Sequence, residues 1–390
     1  MSSKRKVLLA VAVLVAACCL RAPFTCVGSL VSTIRESLSL SGSAAGMLTT
    51  IPLIAFGIVS FFAGKYAEKF GAGRMMLAGL ILLLAGIVVR SYAGVTGLFV
   101  GTAVIGTGIA IQNVLVPAII KAHFPKKVGV MTASYTTMMA TLSGISGGIS
   151  VPLANAIGWR NTLFMWVFIV SVALVLWIIN RDIKLKPVDE TEVQTNKHAD
   201  VTKDPMSWFI ACFMGIQSLL FYCFVAWFAT IVQSNGFDKV TAGYFNSAYL
   251  FLGITGSLTV PVLAGRRKNQ SLLAVALGII YTVGLAALTV NGGLSSLIIS
   301  MVCCGFCQGA TISFSMMLFG LHTKNPTDTS ALSGLAQSIG YLLASVGPII
   351  LGKVYDIAGN WNAPLAVLVV LAIVLTVLGF IVGQEKIINE

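Results

Sequence analysis

The stretch KRKVLLAVAVLVAACCLRAPFTCVGSLV, residues 4–31, decides the class of fold. Its three basic residues precede an apolar run that extends from Val7 to about Val31. A helix needs roughly 20 apolar residues to cross the hydrocarbon core of a bilayer. A secretory signal peptide also begins with basic residues, but its apolar region is shorter, about 7–15 residues. We therefore interpret this run as a first membrane helix that is retained in the mature protein.

Apolar runs of the same kind recur along the rest of the 390-residue chain. Hydrophobic residues make up 57% of it and charged residues 10%, whereas soluble domains have about 25% charged residues. Because so few charges cannot cover the surface of a soluble protein, much of this surface must face lipid. Charged or Gly-, Pro- and Asn-rich breaks separate the runs. The predicted membrane helices are residues 7–32, 43–63, 75–93, 97–121, 129–155, 162–180, 206–234, 241–264, 271–290, 294–321, 329–351 and 362–384.

The distribution of Lys and Arg predicts the orientation of these helices. With the N-terminus in the cytoplasm, nineteen of the 25 basic residues fall on cytoplasmic segments, and Arg21 lies inside the first helix. Cytoplasmic loops of membrane proteins carry such an excess of Lys and Arg. We therefore expect a multi-pass inner-membrane protein with both termini in the cytoplasm, and the net charge of +12 needs no nucleic-acid partner. The five basic residues assigned to the other side are Arg35, Arg90, Arg160, Lys239 and Lys353.

One long polar segment and an internal repeat predict two halves. The segment from Arg181 to Asp204 separates six predicted helices from six. An offset of 201 residues relates Gly64 to Gly265 and Gly108 to Gly309, each pair at a corresponding place in its half. Parallel repeats of this kind build many transporters, with the substrate held between them near the midplane. The predicted organisation is an N-terminal six-helix half, 1–180, a cytoplasmic linker, 181–205, and a C-terminal six-helix half, 206–390.

The connection after the second predicted helix carries a recognisable motif. The sequence GKYAEKFGAGR, residues 64–74, resembles the signature loop of the major facilitator superfamily, with Glu68 where that family usually has Asp. The resemblance implies the major facilitator fold: an all-α membrane protein with twelve transmembrane helices in two six-helix halves. It also implies that this loop latches the halves together on the cytoplasmic side. The alternative is a short solvated loop that is retained for its positive charge. The residues implied in the latch are Gly64, Glu68, Lys69, Gly71 and Arg74.

Three further stretches resemble one branch of that superfamily. They are Arg21-Ala-Pro-Phe-Thr25 in the first predicted helix, residues 48–56 (LTTIPLIAF) in the second, and residues 101–117 (GTAVIGTGIAIQNVLVP) in the fourth. Together they look like the branch of the cyanate and 2-nitroimidazole transporters. That resemblance implies a small anion or a nitro-heterocycle as the solute, and it leaves the direction of transport open.

Arg21 is the charged residue that the sequence places deepest in the membrane. It lies 14 residues beyond Val7, about 21 Å along a helix. None of the 13 acidic residues falls at the centre of a predicted helix, and an unpaired charge in hydrocarbon is costly. We therefore expect an anionic or strongly dipolar solute to bind at Arg21. The alternative is that Arg21 reaches the outer interface or binds backbone carbonyls.

Other polar residues inside predicted helices are weaker candidates for solute contact. By resemblance, the first, fourth, seventh and tenth helices and parts of the second, fifth, eighth and eleventh line the cavity. For each candidate, hydrogen bonding between helices is the alternative role. The candidates are Asn113, Tyr135, Gln217, Tyr222, Tyr249, Gln308 and Gln337.

These observations favour a secondary transporter that works by alternating access, with Arg21 near the solute. An exporter of planar drug-like compounds, driven by antiport, is the alternative. A membrane-embedded enzyme or sensor is a remote third, because the chain has no Ser/His/Asp grouping, no set of metal ligands and no output domain. We expect no metal and no cofactor. The expected partners are the solute and membrane lipid, and we expect the protein to function as a monomer.

Overall fold

The computed structural model describes residues 3–40, 42–185, 201–290 and 293–388, and in these ranges the chain is almost entirely helical. Most of the predicted linker, residues 186–200, lies outside the described residues. The described α-helices are α1 (Ser3–Leu38), α2 (Gly42–Phe70), α3 (Ala72–Tyr92), α4 (Gly94–His123), α5 (Val128–Ile157), α6 (Trp159–Phe164), α7 (Val167–Ile179), α8 (Pro205–Ser234), α9 (Lys239–Ala264), α10 (Ser271–Ala287), α11 (Gly293–Leu321), α12 (Pro326–Ala358) and α13 (Asn362–Val382).

These helices account for the twelve predicted crossings. Within the described residues, eleven helical segments are long and apolar enough to span a membrane, counting α6 and α7 together as Trp159–Ile179. The twelfth, α10, is shorter, with 17 residues, or about 26 Å at 1.5 Å per residue. The predicted bounds differ at several ends. The helix α1 has 36 residues, more than the 26 predicted by residues 7–32, and the sixth crossing is interrupted at Met165-Trp166.

Successive crossings run in opposite directions, so one end of the bundle collects most of the basic connections. We call this the basic end. It contains the beginnings of α1, α3, α5, α8, α10 and α12, and the ends of α2, α4, α7, α9, α11 and α13. The crossings before residue 180 and those after residue 205 form two groups, which we call the first six and the last six crossings.

The two groups pack together at the basic end through glycines and hydroxyl groups. The Ser338 hydroxyl on α12 donates a hydrogen bond to the Gly57 carbonyl on α2. A Cβ atom at Gly64 would lie 3.0 Å from the Ser330 hydroxyl oxygen, and one at Gly129 would lie 2.6 Å from the Pro261 carbonyl oxygen. Lys121 Nζ donates to the Gly320 carbonyl over 2.9 Å. A side chain at these glycines would collide with the opposite group. Glycine at these positions therefore allows the two groups to pack closely at this end.

Within the first six crossings, α3 and α4 touch backbone to backbone. A Cβ atom at Gly86 would lie 2.8 Å from the backbone nitrogen of Ile105 and 2.9 Å from the carbonyl oxygen of Gly101. A Cβ atom at Gly101 would in turn meet the backbone nitrogen of Arg90. Inside a membrane the hydrophobic effect does not drive helices together. Close contact through small residues instead supplies van der Waals packing energy.

This packing predicts that Gly86→Ala lowers the stability of the purified protein by about 1–3 kcal/mol, the usual cost of overpacking. The matched control is Gly148→Ala, because a Cβ atom at Gly148, also inside a helix, would meet nothing within 4 Å. Thermal unfolding in detergent measures both variants, and the control corrects for the better helix propensity of alanine. If Gly86→Ala unfolds at the same temperature as Gly148→Ala, this result contradicts the close packing of α3 on α4 at Gly86.

Candidate solute site

A cavity lies between the two groups of crossings, near the middle of the bundle. It encloses about 680 Å³, counting its open mouth. The helices α5, α8 and α11 each present one face, since their lining residues recur at intervals of three or four. The polar and aromatic residues that line it are Arg21 of α1, Tyr135, Thr136 and Ser143 of α5, Gln217, Ser218, Phe221 and Tyr222 of α8, Ser257 of α9, Gln308 of α11 and Tyr341 of α12.

Arg21 is the cationic residue of this lining. It lies at the middle of α1, 18 residues from Ser3 and 17 from Leu38. Its Nη1 donates a hydrogen bond to the Tyr222 hydroxyl oxygen over 3.2 Å, and its guanidinium carbon lies 5.8 Å from the centre of the Phe221 ring. Tyr135 and Tyr341 are its next electrostatic neighbours. The guanidinium is therefore surrounded by phenol and phenyl rings.

No acidic side chain among the described residues lines this cavity. Removing a guanidinium from water costs several kcal/mol unless an opposite charge compensates it. A hydroxyl and an aromatic face offset only part of that cost. Arg21 thus contributes a positive charge that no acidic side chain of the described lining balances. The described acids lie at helix ends, in connections or in the C-terminal segment: Glu36, Glu68, Asp182, Asp204, Asp238, Asp328, Asp356 and Glu385.

The cavity is closed on the side of the basic end. Every described hydrogen bond between the two groups lies between that end and the middle of the bundle, where Ser313 donates to Thr136 over 2.9 Å and Arg21 to Tyr222. Gly28 lies two turns beyond Arg21 on the same face of α1, and a Cβ atom there would meet nothing within 4 Å. The cavity therefore opens toward the end opposite the basic end.

Five of the eight sequence-predicted solute residues line the cavity: Arg21, Tyr135, Gln217, Tyr222 and Gln308. The two glutamines already make hydrogen bonds within the last six crossings. Gln217 Nε2 donates to the Ser218 hydroxyl over 2.8 Å, and Gln308 Nε2 donates to the Leu250 carbonyl over 3.3 Å. The Gln217 Oε1 atom also accepts from the Thr311 hydroxyl over 3.4 Å, so this amide is held on both sides.

The other three predicted residues lie outside the lining. Gln337 Nε2 donates to the Asn113 carbonyl over 3.1 Å, so these two residues join α12 to α4. Tyr249 packs against Phe224, with ring centres 4.7 Å apart, and it is fully buried. In place of Gln337, its neighbour one turn along the same face, Tyr341, reaches the cavity.

Arg90 was counted from the sequence among the basic residues on the side opposite the cytoplasm, near the end of the predicted helix 75–93. In the structure Arg90 belongs to the last turn of α3, its side chain is 1% exposed, and Nη1 donates to the Pro23 carbonyl over 2.6 Å. The described crossings therefore bury Arg90, whereas Arg21 is half-buried. The available signal was its position after Gly86 and Ile87, at the apolar spacing of one helix face.

The predicted latch residues take two kinds of position. Gly64 is buried against Ser330, and Gly71, at a φ of 92°, forms the turn between α2 and α3. The helix α2 continues six residues past Gly64 to Phe70, so most of the motif is helical. The remaining three residues, Glu68, Lys69 and Arg74, are exposed. The latch itself stays a prediction.

Comparison with known proteins gives relatives along the whole chain. The chain is 39% identical over 375 residues to the uncharacterized transporter YycB of Bacillus subtilis (strain 168), covering 95% of this chain and 92% of the relative. It is 33% identical over 390 residues to the 2-nitroimidazole transporter of Escherichia coli (strain K12), covering 99% and 98%. It is 23% identical over 344 residues to the cyanate transport protein CynX of Escherichia coli (strain K12), covering 88% of each.

A family model and solved structures agree with these relatives. The model described as Major Facilitator Superfamily matches residues 13–348. The proton:xylose symporter XylE aligns with a TM-score of 0.78 at 11% identity, covering 100% of this chain and 99% of the symporter. The human organic anion transporter MFSD10 aligns with a TM-score of 0.76 at 12% identity, covering 97% and 100%. The fold class and the family resemblance predicted from the sequence are confirmed.

The positions of two glutamines predict different effects of the same substitution. Gln308→Leu removes an amide from the cavity wall and should change solute affinity by about 2- to 10-fold, the range for one neutral hydrogen bond. Gln337→Leu removes a contact between α12 and α4 outside the cavity, so it should leave affinity unchanged and alter the transport rate. Equilibrium binding and initial flux, measured on the same purified variants, separate the two effects. An affinity loss confined to Gln337→Leu would contradict the placement of the cavity.

Proposed function

Since this chain belongs to the Major Facilitator Superfamily and is a multi-pass secondary transporter, not an enzyme, we propose that it carries a small monoanion or a nitro-heterocycle. The solute binds at Arg21 and crosses the membrane by alternating access. Cyanate and 2-nitroimidazole are the first compounds to test, because two relatives are named for them.

The observation that carries this proposal is the unmatched charge of Arg21. A guanidinium presents a planar fork of N–H donors that suits the paired oxygens of nitro and carboxylate groups and the lone pairs of small anions. A monoanion or a strong dipole at this point lowers the electrostatic cost of this half-buried cation. A cation or an uncharged sugar would leave that cost in place.

The aromatic lining supports a planar solute. Phe221 and Tyr222 meet in an edge-to-face contact with ring centres 5.0 Å apart, and Tyr341 packs on Phe56 at 5.0 Å. Tyr135 and Tyr341 are each 1% exposed, so their positions are fixed by packing. Flat, rigid walls beside one cation favour a flat heterocycle or a small linear anion over a bulky, three-dimensional solute.

We further propose that the basic end faces the cytoplasm of an inner-membrane protein, in agreement with the positive-inside rule. The cavity then opens to the outside in the described conformation. Residues 1–180 and 206–390 are the two bodies that rock, and residues 64–74 latch them at the cytoplasmic side. The burial of Gly64 against Ser330 supports this role for the latch.

The substitution Arg21→Gln tests the proposal. It keeps hydrogen-bonding groups and removes the charge, so anion affinity should fall by about 10- to 100-fold, the range for a charge-assisted hydrogen bond. Arg21→Lys restores the charge without the planar fork and should recover part of the affinity. Cyanate and 2-nitroimidazole binding to purified protein, and uptake into proteoliposomes, measure the effect.

Arg160→Gln is the matched control. Arg160 is exposed, lies far from the cavity and packs its guanidinium 4.5 Å from the centre of the Trp159 ring. Its loss should leave binding and flux unchanged. If Arg21→Gln binds and moves both compounds as well as wild type, the assignment of the solute to Arg21 is wrong.

The aromatic walls also favour a second candidate, an exporter of planar drug-like compounds driven by antiport. The two functions predict opposite phenotypes. Deletion of the gene for an importer protects cells from a toxic solute, whereas deletion of the gene for an exporter sensitises them. For uncharged planar compounds, the export hypothesis also predicts transport that persists in Arg21→Gln. Growth inhibition by toxic nitro-heterocycles, compared between deletion and parent strains, decides between them.

A further inference from the structure

Arg90 is a buried cation that the proposed solute site does not use. Its guanidinium makes one hydrogen bond, from Nη1 to the Pro23 carbonyl, over 2.6 Å. Its Nε and Nη2 atoms have no hydrogen-bond partner among the described residues, although the Cys26 thiol lies beside it. Burial of an arginine with so few acceptors costs several kcal/mol. Charges retained inside a membrane domain at such a cost are usually functional.

The single contact of Arg90 falls on the turn of α1 that carries Arg21. Three successive carbonyls of this turn accept side-chain hydrogen bonds. The Thr25 hydroxyl donates to the Arg21 carbonyl over 3.0 Å, and the Ser146 hydroxyl on α5 donates to the Ala22 carbonyl over 3.2 Å. Arg90, on α3, donates to the third carbonyl, that of Pro23. Neighbouring helices therefore hold this turn from two sides.

The turn needs such support because of its sequence. Pro23 has no backbone N–H, so the α1 ladder loses one hydrogen bond here, and proline within a helix favours a kink. A weakened turn at the middle of α1 would let the direction of the Arg21 side chain vary. An added charge-assisted bond to the Pro23 carbonyl is stronger than a neutral one, and it offsets the loss next to the site.

We propose that Arg90 is a positioning residue of the transport cycle, which fixes the Pro23 turn of α1 and thereby aims Arg21 into the cavity. The proposal rests on the proposed function of Arg21. Arg90 acts through the backbone of α1 and does not touch the solute. An arginine suits this position because its side chain extends from the last turn of α3 to α1 and keeps its charge when buried.

The test is a double-mutant cycle between Arg90 and Arg21, with cyanate and 2-nitroimidazole as probes. Arg90→Lys keeps the charge and shortens the donor group, so it should fold normally and weaken binding about 10-fold. In the Arg21→Gln background the same Arg90→Lys change should have no further effect, because Arg90 acts through Arg21. Arg90→Gln, which removes the charge, extends the series if its thermal unfolding shows a folded protein.

A second measurement needs no solute. Amide hydrogen exchange of peptides from residues 14–31 should be faster in Arg90→Lys than in wild type, while peptides from α8 and α11 exchange as before. Ser91→Ala is the matched control, because Ser91 is buried in the same turn of α3 and its hydroxyl donates to Ile87 within its own helix, over 2.8 Å. The control should leave exchange in α1 and probe affinity unchanged.

The outcomes separate this inference from the proposed function. If Arg21→Gln alone leaves the affinity for both probes unchanged, the assignment of the solute to Arg21 is wrong. The role proposed for Arg90 is then wrong as well. If Arg21→Gln weakens binding and Arg90→Lys weakens it equally in both backgrounds, Arg90 contributes independently and the positioning role is overturned. Unchanged exchange in α1 overturns it as well, even where neither probe binds. Faster exchange throughout the protein indicates a structural role only and also contradicts the proposal.

Discussion

The electrostatic cost of a half-buried guanidinium in an acid-free site is the constraint on which the rest of this structure depends. Around Arg21 the described residues provide one hydroxyl and several aromatic faces, and they provide no carboxylate. In such surroundings the charge is stabilised by water, while the cavity is open, or by a solute of opposite charge or strong dipole. When the cavity closes and water leaves, only the solute remains. Occlusion is therefore easiest with the solute bound.

The contacts that close the basic end are short-range and mostly uncharged. They consist of glycine against backbone, hydroxyl against carbonyl, the Gln337 amide on the Asn113 carbonyl, and one lysine on a carbonyl. Among the described residues no ion pair joins the two groups of crossings, and Lys386, after α13, pairs with Asp204, which directly precedes α8. Weak, short-range contacts that depend on shape can form and break in each cycle. A strong network of ion pairs would hold the transporter in one state.

The sequence predicted the fold well because hydrophobic length and loop charge depend little on tertiary contacts. The seventh crossing, predicted at 206–234, is Pro205–Ser234 in the structure. Residue depth inside the bundle was harder to predict. Gln337 and Tyr341 share a face of α12, and nothing in the sequence shows which of them is level with the cavity. The burial of Arg90 was not predicted from the sequence, because its acceptor, the Pro23 carbonyl, comes from a helix 67 positions earlier in the sequence.

These two arginines make α1 the helix through which solute binding can bias the conformation. A solute that binds one conformation more tightly by about 1.4 kcal/mol changes the ratio of the two conformations tenfold. A single charge-assisted hydrogen bond is of this size or larger. The Arg21 turn lies at the boundary of the two groups, where its side chain contacts Tyr222 of α8 while its backbone is held by α3 and α5. A solute that replaces the Tyr222 hydroxyl as the partner of Arg21 would weaken the link to α8 and leave α1 attached to its own group. In the proposed function, binding at this one side chain would thus act directly on the contact between the two groups of crossings.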